Sequence, residues 1–245
     1  MRTQHLTVTD KVARLCEPPV AFNEITEHQG RAVLRDAEVS ARRAGAHHLV
    51  LRAFPADRDL LHEHGFTRSG SSDDEGNELI EMSKPLPVLR DATDDDSHAL
   101  IELITGCFDE YEGCVMDVDG EEPWLRKPAT SYAGLGGHLW VYSLGGPLGE
   151  VVACGALKPS TAGRDELKSM YVSKKIRRRR LAQDLNQMIE NAARERGNTM
   201  VHLWSDTRFL SAHKLYAELG YRRLPEVREL HDKSNTSEIH FEKHL

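Results

Sequence analysis

The feature that most constrains the fold is the alternation of strand-length apolar runs with helical patterns in the C-terminal half. The runs HLWVYSL (138–144) and VVACGALK (151–158) have strand composition and are separated by a glycine-rich turn. The stretch EPWLRKPATSYAGLGG (122–137) ahead of them is predicted to be irregular. The later runs MVHLW (200–204) and EIHFEKHL (238–245) are separated by a helical pattern that Ser205 or Asp206 can cap and that Gly220 ends. Strands that come first in hairpins and then alternate with helices predict an α/β or α+β sheet with helices on its faces.

A second constraint is the junction between a predicted strand and the most regular helical pattern. The strand DELKSMYVS (165–173) leads into four arginines, Arg177 to Arg180, and then into apolar residues at helical spacing that stop at Gly197. A helix N-terminus offers unpaired N–H groups and the positive end of the helix dipole, so this junction suits a pyrophosphate. A solvated surface turn is the alternative for the arginine run.

Composition limits the classes of partner. The 245 residues carry a formal net charge of −7, which argues against general affinity for nucleic acid. No apolar run approaches the roughly 20 residues of a membrane span, and the start lacks a signal-peptide core, so we expect a cytoplasmic protein without membrane contact. The four cysteines, Cys16, Cys107, Cys114 and Cys154, are scattered, which favours reduced thiols over a disulfide or metal site.

The order of these motifs resembles the Gcn5-related N-acetyltransferase (GNAT) superfamily over residues 88–245. The sequence Arg177-Arg178-Arg179-Arg180-Leu181-Ala182 stands at the family's acetyl-CoA motif, and LYAELGY (215–221) stands at its Tyr-x-x-x-Gly-Tyr pattern. The opening VLRDATDDDSHAL (88–100) is similar to the family's first strand and helix. The resemblance implies a mixed, mostly antiparallel central sheet flanked by helices, and acetyl transfer from acetyl-CoA to a primary amine of a small molecule or protein, without a metal.

The resemblance also implies roles for single residues. The loop from Arg177 to Ala182 is expected to hold the diphosphate of acetyl-CoA, and the backbone of Met170 and Val172 to pair with its pantetheine arm. Glu166 is the expected general base and Tyr216 the expected general acid, which protonates the leaving thiolate. A surface acid at a strand end is the alternative for Glu166, and a core tyrosine is the alternative for Tyr216.

One position departs from the family pattern, because Arg180 replaces its first glycine. Glycine is used where the backbone takes a positive φ or approaches a ligand closely. An arginine there could add a bidentate contact to phosphate, or could weaken catalysis and leave a CoA-responsive sensor or interaction module. A third hypothesis is that the arginines bind RNA or DNA, and the net negative charge of the chain makes it the weakest.

The loop ahead of the first hairpin is acidic, with Asp109, Glu110, Glu112 and the stretch DVDGEE (117–122). Members of the family place substrate-contacting loops here. Negative charge could attract a cationic amine, and a solvated loop is the alternative.

The first 87 residues repeat the later order of elements, with a division expected around Lys84–Pro87. Gly30-Arg31-Ala32 precedes a helix ending at Gly45, and a strand at 47–51, a helix ending at Gly65-Phe66 and a strand at 78–82 follow. This looks like a degenerate, noncatalytic half of a second GNAT domain, with Glu27 in place of Arg177 and Leu61 in place of Tyr216. A coincidental α/β pattern is the alternative. Such a half must cover its sheet against the other domain or another chain, for example in a homodimer.

Overall fold

The computed structural model describes residues 5–16, 27–74, 77–161 and 163–245. The side chains of Cys16 and Glu27 lie outside the described residues. By its internal contacts the chain divides into two compact units, Met1–Val88 with Ser143–Glu150, and Leu89–Tyr142 with Val151–Leu245. In the described ranges, no helix combines the length and apolarity needed to cross a bilayer.

The first unit contains a five-stranded sheet in the order β1-β2-β3-β5-β4. Strands β2 and β3 run parallel, and the other neighbours run antiparallel. The strands are β1 (His5–Thr9), β2 (Val12–Cys16), β3 (His48–Ala53), β4 (Thr67–Asp74) and β5 (Asn77–Pro85), and the helices are α1 (Glu27–Arg43) and α2 (Arg58–Glu63).

The core of this unit is mainly apolar and contains a buried ion pair. Leu34 and Ala41 of α1 belong to the same core cluster as Leu49 of β3. The Lys84 ammonium contacts the Glu38 carboxylate, and the two residues are only 3% and 5% exposed. Because a buried charge is costly without a counter-charge, this pair fixes how α1 faces β5.

The second sheet has seven strands in the order β11-β12-β10-β9-β8-β7-β6. Strands β9 and β10 are parallel, whereas the pairs β8–β9, β10–β12 and β11–β12 are antiparallel. Its elements are β6 (Pro87–Asp91), α3 (Ser97–Phe108), α4 (Pro128–Gly134), β7 (His138–Leu144), β8 (Glu150–Pro159), β9 (Arg164–Val172), α5 (Leu181–Glu195), β10 (Met200–Asp206), α6 (Leu210–Glu218), β11 (Arg222–Glu229) and β12 (Ser237–His244). The predicted fold class, mixed and mostly antiparallel sheets flanked by helices, is confirmed.

The two sheets share one topology. The order β1-β2-β3-β5-β4 matches β8-β9-β10-β12-β11, with α1 and α5 leading into the parallel strand in each case. The parallel pairing covers three residue pairs in both sheets. Sequence patterns did not reveal β1 and β2, which are only five residues long each.

Two local predictions were wrong. Residues 122–137 were expected to be irregular, but they contain a 3₁₀ turn (Pro123–Arg126) and α4. Each of these elements starts with a proline, which is tolerated at the first helical position. Helix α6 was expected to be capped by Ser205 or Asp206, but it begins at Leu210, because Asp206 binds the backbone N–H and the guanidinium of Arg208 instead.

The start of α5 is strained. Arg180 precedes the helix with φ 60° and ψ 22°, and Arg178 also has a positive φ of 65°. A side chain in this left-handed region places Cβ close to the following carbonyl oxygen. The structure therefore demands at residue 180 the conformation for which a glycine would be the usual choice.

We predict that Arg180→Val is less stable than Arg180→Gly by about 1 kcal/mol. Both substitutions remove the guanidinium, so the difference between their free energies of unfolding isolates the backbone effect. The left-handed conformation costs an L-residue about 1–2 kcal/mol, and the greater entropy that glycine loses on folding offsets part of this. Urea unfolding followed by the fluorescence of Trp124, Trp140 and Trp204, all in the second unit, measures it. Equal midpoints for the two variants would contradict the strained conformation.

Candidate active site

The site begins where two parallel strands separate. Strands β9 and β10 pair only from Arg164 to Glu166, opposite Met200 to His202, among the described residues. Just beyond, the pairing of β8 with β9 shifts register between Cys154 and Ala156, and Ser169 takes a φ of 50°. One extra residue on β9 is a β-bulge, which bends the strand. The two strands therefore part, and a gap opens between them.

A cavity of about 650 Å³ occupies this gap. Its walls come from the ends of β9 and β10, the start of α5, helix α6, the segment after α3 and the β11–β12 loop. The residues that concern the chemistry are Glu121, Glu122, Lys168, Met170, Tyr171, Val172, Arg177, Arg178, Arg180, Leu181, Ala182, Gln183, Trp204, Tyr216, Asp232 and Glu238. The cavity thus brings most of the predicted site residues together.

The N-terminus of α5 presents free backbone donors to the cavity. The Asp184 amide donates to the Arg180 carbonyl at 3.0 Å, which begins the helical bonding. Within the described part of the chain, the amides of Leu181, Ala182 and Gln183 have no backbone acceptor, as expected for the first turn of a helix. All three residues line the cavity. Three free amides and the positive end of the dipole can bind an anion there.

The four arginines do not act alike. Arg177 donates to both carboxylate oxygens of Glu110, at 2.7 and 2.5 Å, and to the Val172 carbonyl at 3.0 Å. The bond to Glu110 raises the pKa of Arg177. Arg178 and Arg180 line the cavity, whereas Arg179 is not among its lining residues. The Arg177 guanidinium therefore joins the loop to the segment after α3, and Glu110 is a structural partner for it.

The two predicted strand residues, Met170 and Val172, line the cavity. The amide of Ser173 donates to the Val152 carbonyl of β8 at 2.9 Å. Because backbone groups alternate in direction along a strand, those of Val172, and of Met170 two residues earlier, point to the opposite edge, toward the gap. The Val172 carbonyl is already used by Arg177, so its N–H is the group that remains for a ligand.

Tyr216 lies in the wall formed by α6 and is 5% exposed. Its ring packs against Tyr221 and Phe241, with centroids 5.8 and 5.7 Å away. Burial raises its pKa, so the hydroxyl keeps its proton. Among the residues that the structure describes, none forms a hydrogen bond with that hydroxyl, which leaves it available to a bound molecule.

Glu166, the predicted general base, sits differently. It is buried, its carboxylate lies 3.0 Å from the Lys158 ammonium and 3.9 Å from that of Lys168, and it is not among the cavity-lining residues. It is the last β9 residue paired with β10. Glu166 therefore lies where the gap starts, and its negative charge is compensated by the ion pair with Lys158.

The cavity has an acidic side, which the sequence indicated only in part. Glu122 and Asp232 line it, as does Glu238, which pairs with Arg228 at 2.6 Å. Burial is the main cause that raises the pKa of Glu122. The stretch DVDGEE was expected to form an acidic loop that could attract a cationic amine, with a solvated loop as the alternative. Asp232 lies in a turn without a motif, so no sequence pattern indicated that it shares this side of the cavity.

The comparisons with known proteins agree with this fold. A family model described as the acetyltransferase (GNAT) family matches residues 98–221. No curated protein sequence matches the chain significantly.

Solved structures resemble the chain at low identity. A GNAT-family acetyltransferase from Staphylococcus aureus Mu50 is 18% identical, with a TM-score of 0.55 over 65% of this chain and 99% of that one. An acetyltransferase from Streptococcus agalactiae 2603 is 17% identical, with a TM-score of 0.54 over 65% and 98%. A ribosomal-protein-alanine N-acetyltransferase from Brucella melitensis is 18% identical, with a TM-score of 0.50 over 64% and 99%. At these identities the likeness concerns the fold.

The family match covers half of the chain and contains the gap between β9 and β10, the loop of arginines and helix α5. The chain therefore belongs to the GNAT acetyltransferase family.

Proposed function

We propose that residues 88–245 form an N-acetyltransferase domain that moves acetyl from acetyl-CoA to a primary amine of a small molecule or protein. The observation that carries the proposal is the cavity between β9 and β10, with the free amides of α5 at one end and carboxylates at the other. A nucleotide diphosphate suits the first end, and an amine suits the second. The acyl group passes between them.

The amides of Leu181, Ala182 and Gln183 are the proposed ligands of the diphosphate, with Arg178 and Arg180 beside them. Neutral N–H donors on a rigid helix bind phosphate oxygens without a desolvated counter-charge. The gap-facing backbone of Met170 and Val172 is proposed to pair with the amides of the pantetheine arm, as an added strand would. These contacts would point the thioester at the middle of the cavity.

The acceptor end favours a cationic amine. Among the residues described, Glu121, Glu122 and Asp232 form no ion pair, whereas Asp206 and Glu238 are paired with arginines. This end of the cavity therefore carries a net negative charge, which attracts an ammonium group and raises its local concentration.

Two loops that line the acceptor end are joined to each other. The Lys233 amide donates to Glu121 Oε1 at 2.6 Å, and the Ser234 hydroxyl accepts the Val115 amide at 2.9 Å. The Lys233 ammonium lies 2.6 Å from Asp117. Loops held together in this way limit the width of the entrance, which supports a small-molecule amine over a folded protein as acceptor.

The proposed chemistry is direct attack. The amine nitrogen forms a bond to the thioester carbon, the C–S bond breaks, and the CoA thiolate takes a proton from the Tyr216 hydroxyl. Tyr216 regains a proton from the nitrogen, which must lose one to become an amide. Because burial disfavours the phenolate, the proton stays on Tyr216 until the thiolate develops.

We also propose that residues 1–87 are a degenerate, noncatalytic half of a second GNAT-like domain. The shared strand order of the two sheets supports this, and Leu61 stands in α2 where Tyr216 stands in α6. Leucine cannot donate a proton, so no transfer chemistry is proposed there. We propose in addition that a second copy of the chain covers the sheet of this unit in a homodimer.

Turnover of acetyl-CoA against a panel of amines tests the proposed function. We expect transfer to small cationic amines, with a KM that rises with ionic strength because the attraction is screened. Binding of CoA without transfer to any amine would favour a CoA-responsive sensor or interaction module. Absence of CoA binding would contradict both.

The anion site predicts a charge effect confined to the first turn of α5. Gln183→Glu adds a carboxylate beside the free amides without changing side-chain size, and we expect it to weaken CoA binding about tenfold, or ~1.4 kcal/mol. Gln187→Glu makes the same change one turn later and should alter the Kd less than twofold. Calorimetry on both variants measures the two Kd values for CoA. Equal values would contradict the proposal that the diphosphate binds at this end of the helix.

The acid role of Tyr216 predicts a loss of rate without a loss of binding. Tyr216→Phe keeps the ring contacts with Tyr221 and Phe241, and kcat should fall about 100-fold because the thiolate leaves unprotonated. The Kd for CoA should stay within twofold. Steady-state kinetics and calorimetry check the pair of results, and a kcat equal to that of the parent chain would rule out this role.

A further inference from the structure

We propose that Glu122, rather than Glu166, is the general base that removes the proton from the acceptor ammonium. The proposal rests on the proposed function, since it names a further residue for the same reaction. Glu122 lines the acceptor end of the cavity, and no family motif contains it.

Glu122 is held in place by a chain of contacts that ends at the β-bulge. Its carboxylate accepts a hydrogen bond from the Trp124 indole N–H, and the Trp124 ring meets Tyr132 edge-on with centroids 5.2 Å apart. The Tyr132 hydroxyl contacts the Ser169 hydroxyl at 2.8 Å. Ser169 is the residue of positive φ where β9 leaves β10. The carboxylate position is therefore tied to the feature that opens the gap.

The groups around Glu122 leave its charge largely unmatched. Lys168 of β9 is the cation that acts on it, while Glu121 of the same loop and Glu238 of β12 repel it. Burial is the largest influence and, with that repulsion, raises the pKa of Glu122 above that of an ordinary glutamate. A carboxylate with a raised pKa is a stronger base near neutral pH.

Glu122 and Tyr216 line the same cavity as Tyr171, a partly buried residue of β9. Burial is the main cause that raises the pKa of Tyr171, and the charge of Glu122 raises it further, with Tyr216 among the smaller causes. The base proposed for the amine and the acid proposed for the thiolate thus both lie near this residue of β9.

Glu166 lacks these properties. The Lys158 ammonium lies 3.0 Å from its carboxylate, and Glu166 does not line the cavity. Its carboxylate is therefore engaged by a lysine and lies away from the cavity that would hold the amine. Its position, at the last residue of β9 that pairs with β10, suits a structural role.

The proton transfer balances simply. The acceptor enters as R–NH₃⁺, the Glu122 carboxylate takes one proton to become a neutral acid, and R–NH₂ then has the lone pair needed for attack on the thioester. Glu122 returns that proton to water after the acetylated amine leaves. The second nitrogen proton replaces the one that Tyr216 gives to the CoA thiolate. The net products are the amide, CoA thiol and one released proton.

The test is the pH dependence of kcat/KM for Glu122→Gln, measured beside the parent chain. We expect a loss of about 100-fold at neutral pH, because the amine must then ionise unaided. The acid limb of the pH profile of kcat/KM should move to higher pH. With an acceptor whose amine is already neutral at the assay pH, the substitution should lower kcat/KM by less than about tenfold. The Kd for CoA should remain within twofold, which shows an intact fold and nucleotide site.

Glu112→Gln is the matched control, since it removes the same charge from an exposed position of the same segment, outside the cavity lining. Its profile should match that of the parent chain. The inference would be overturned if the pH profile of Glu122→Gln were unchanged and the acid limb moved to higher pH in Glu166→Gln instead. That result would leave the acetyltransferase proposal in place. No turnover by the parent chain would overturn both.

Discussion

The site depends on the early end of the pairing between β9 and β10. Three residue pairs hold the strands together, and the bulge at Ser169 then turns β9 away. An unpaired strand edge is normally a liability because its N–H and C=O groups need partners. Here the edge faces a cavity, and a ligand with amide groups of its own can provide those partners. The gap also gives that ligand access to the first turn of α5.

Charge distribution divides the cavity into two ends. Arg177 is neutralised by Glu110 and Glu166 by Lys158, so the most obvious charged residues of the motif region serve the scaffold. The groups that remain for an anion are the first backbone amides of α5, with Arg178 and Arg180 beside them, and the groups that remain for a cation are carboxylates. This distribution of charge is the basis of the proposal that the cavity holds a nucleotide and an amine at once.

The fold could be predicted from the sequence because its strongest signals are local. The apolar spacing of α5 and the stops at Gly197 and Gly220, both with positive φ, fixed the later helices closely. Elements without such signals were missed, among them β11, whose side chains are mostly exposed, and α4, which starts with a proline.

The site could be predicted only where it follows a motif. Met170, Val172, Ala182 and Tyr216 stand at positions of the family's motifs and line the cavity, and their roles in binding and catalysis stay predictions. Glu122 and Asp232 are 110 positions apart in the chain, and only the packing of two loops brings them to one end of the cavity. The pairing of Arg177 with Glu110 is equally non-local, so the sequence could not reveal that this guanidinium is engaged.

The central claim is that the first amides of α5 hold the diphosphate of CoA. Amide resonances of uniformly ¹⁵N-labelled protein, followed while CoA is added, test it most directly. The account predicts that the largest shifts fall on Leu181, Ala182 and Gln183, while amides near the end of α5 stay in place. Binding of CoA that leaves these three resonances unmoved would contradict the account.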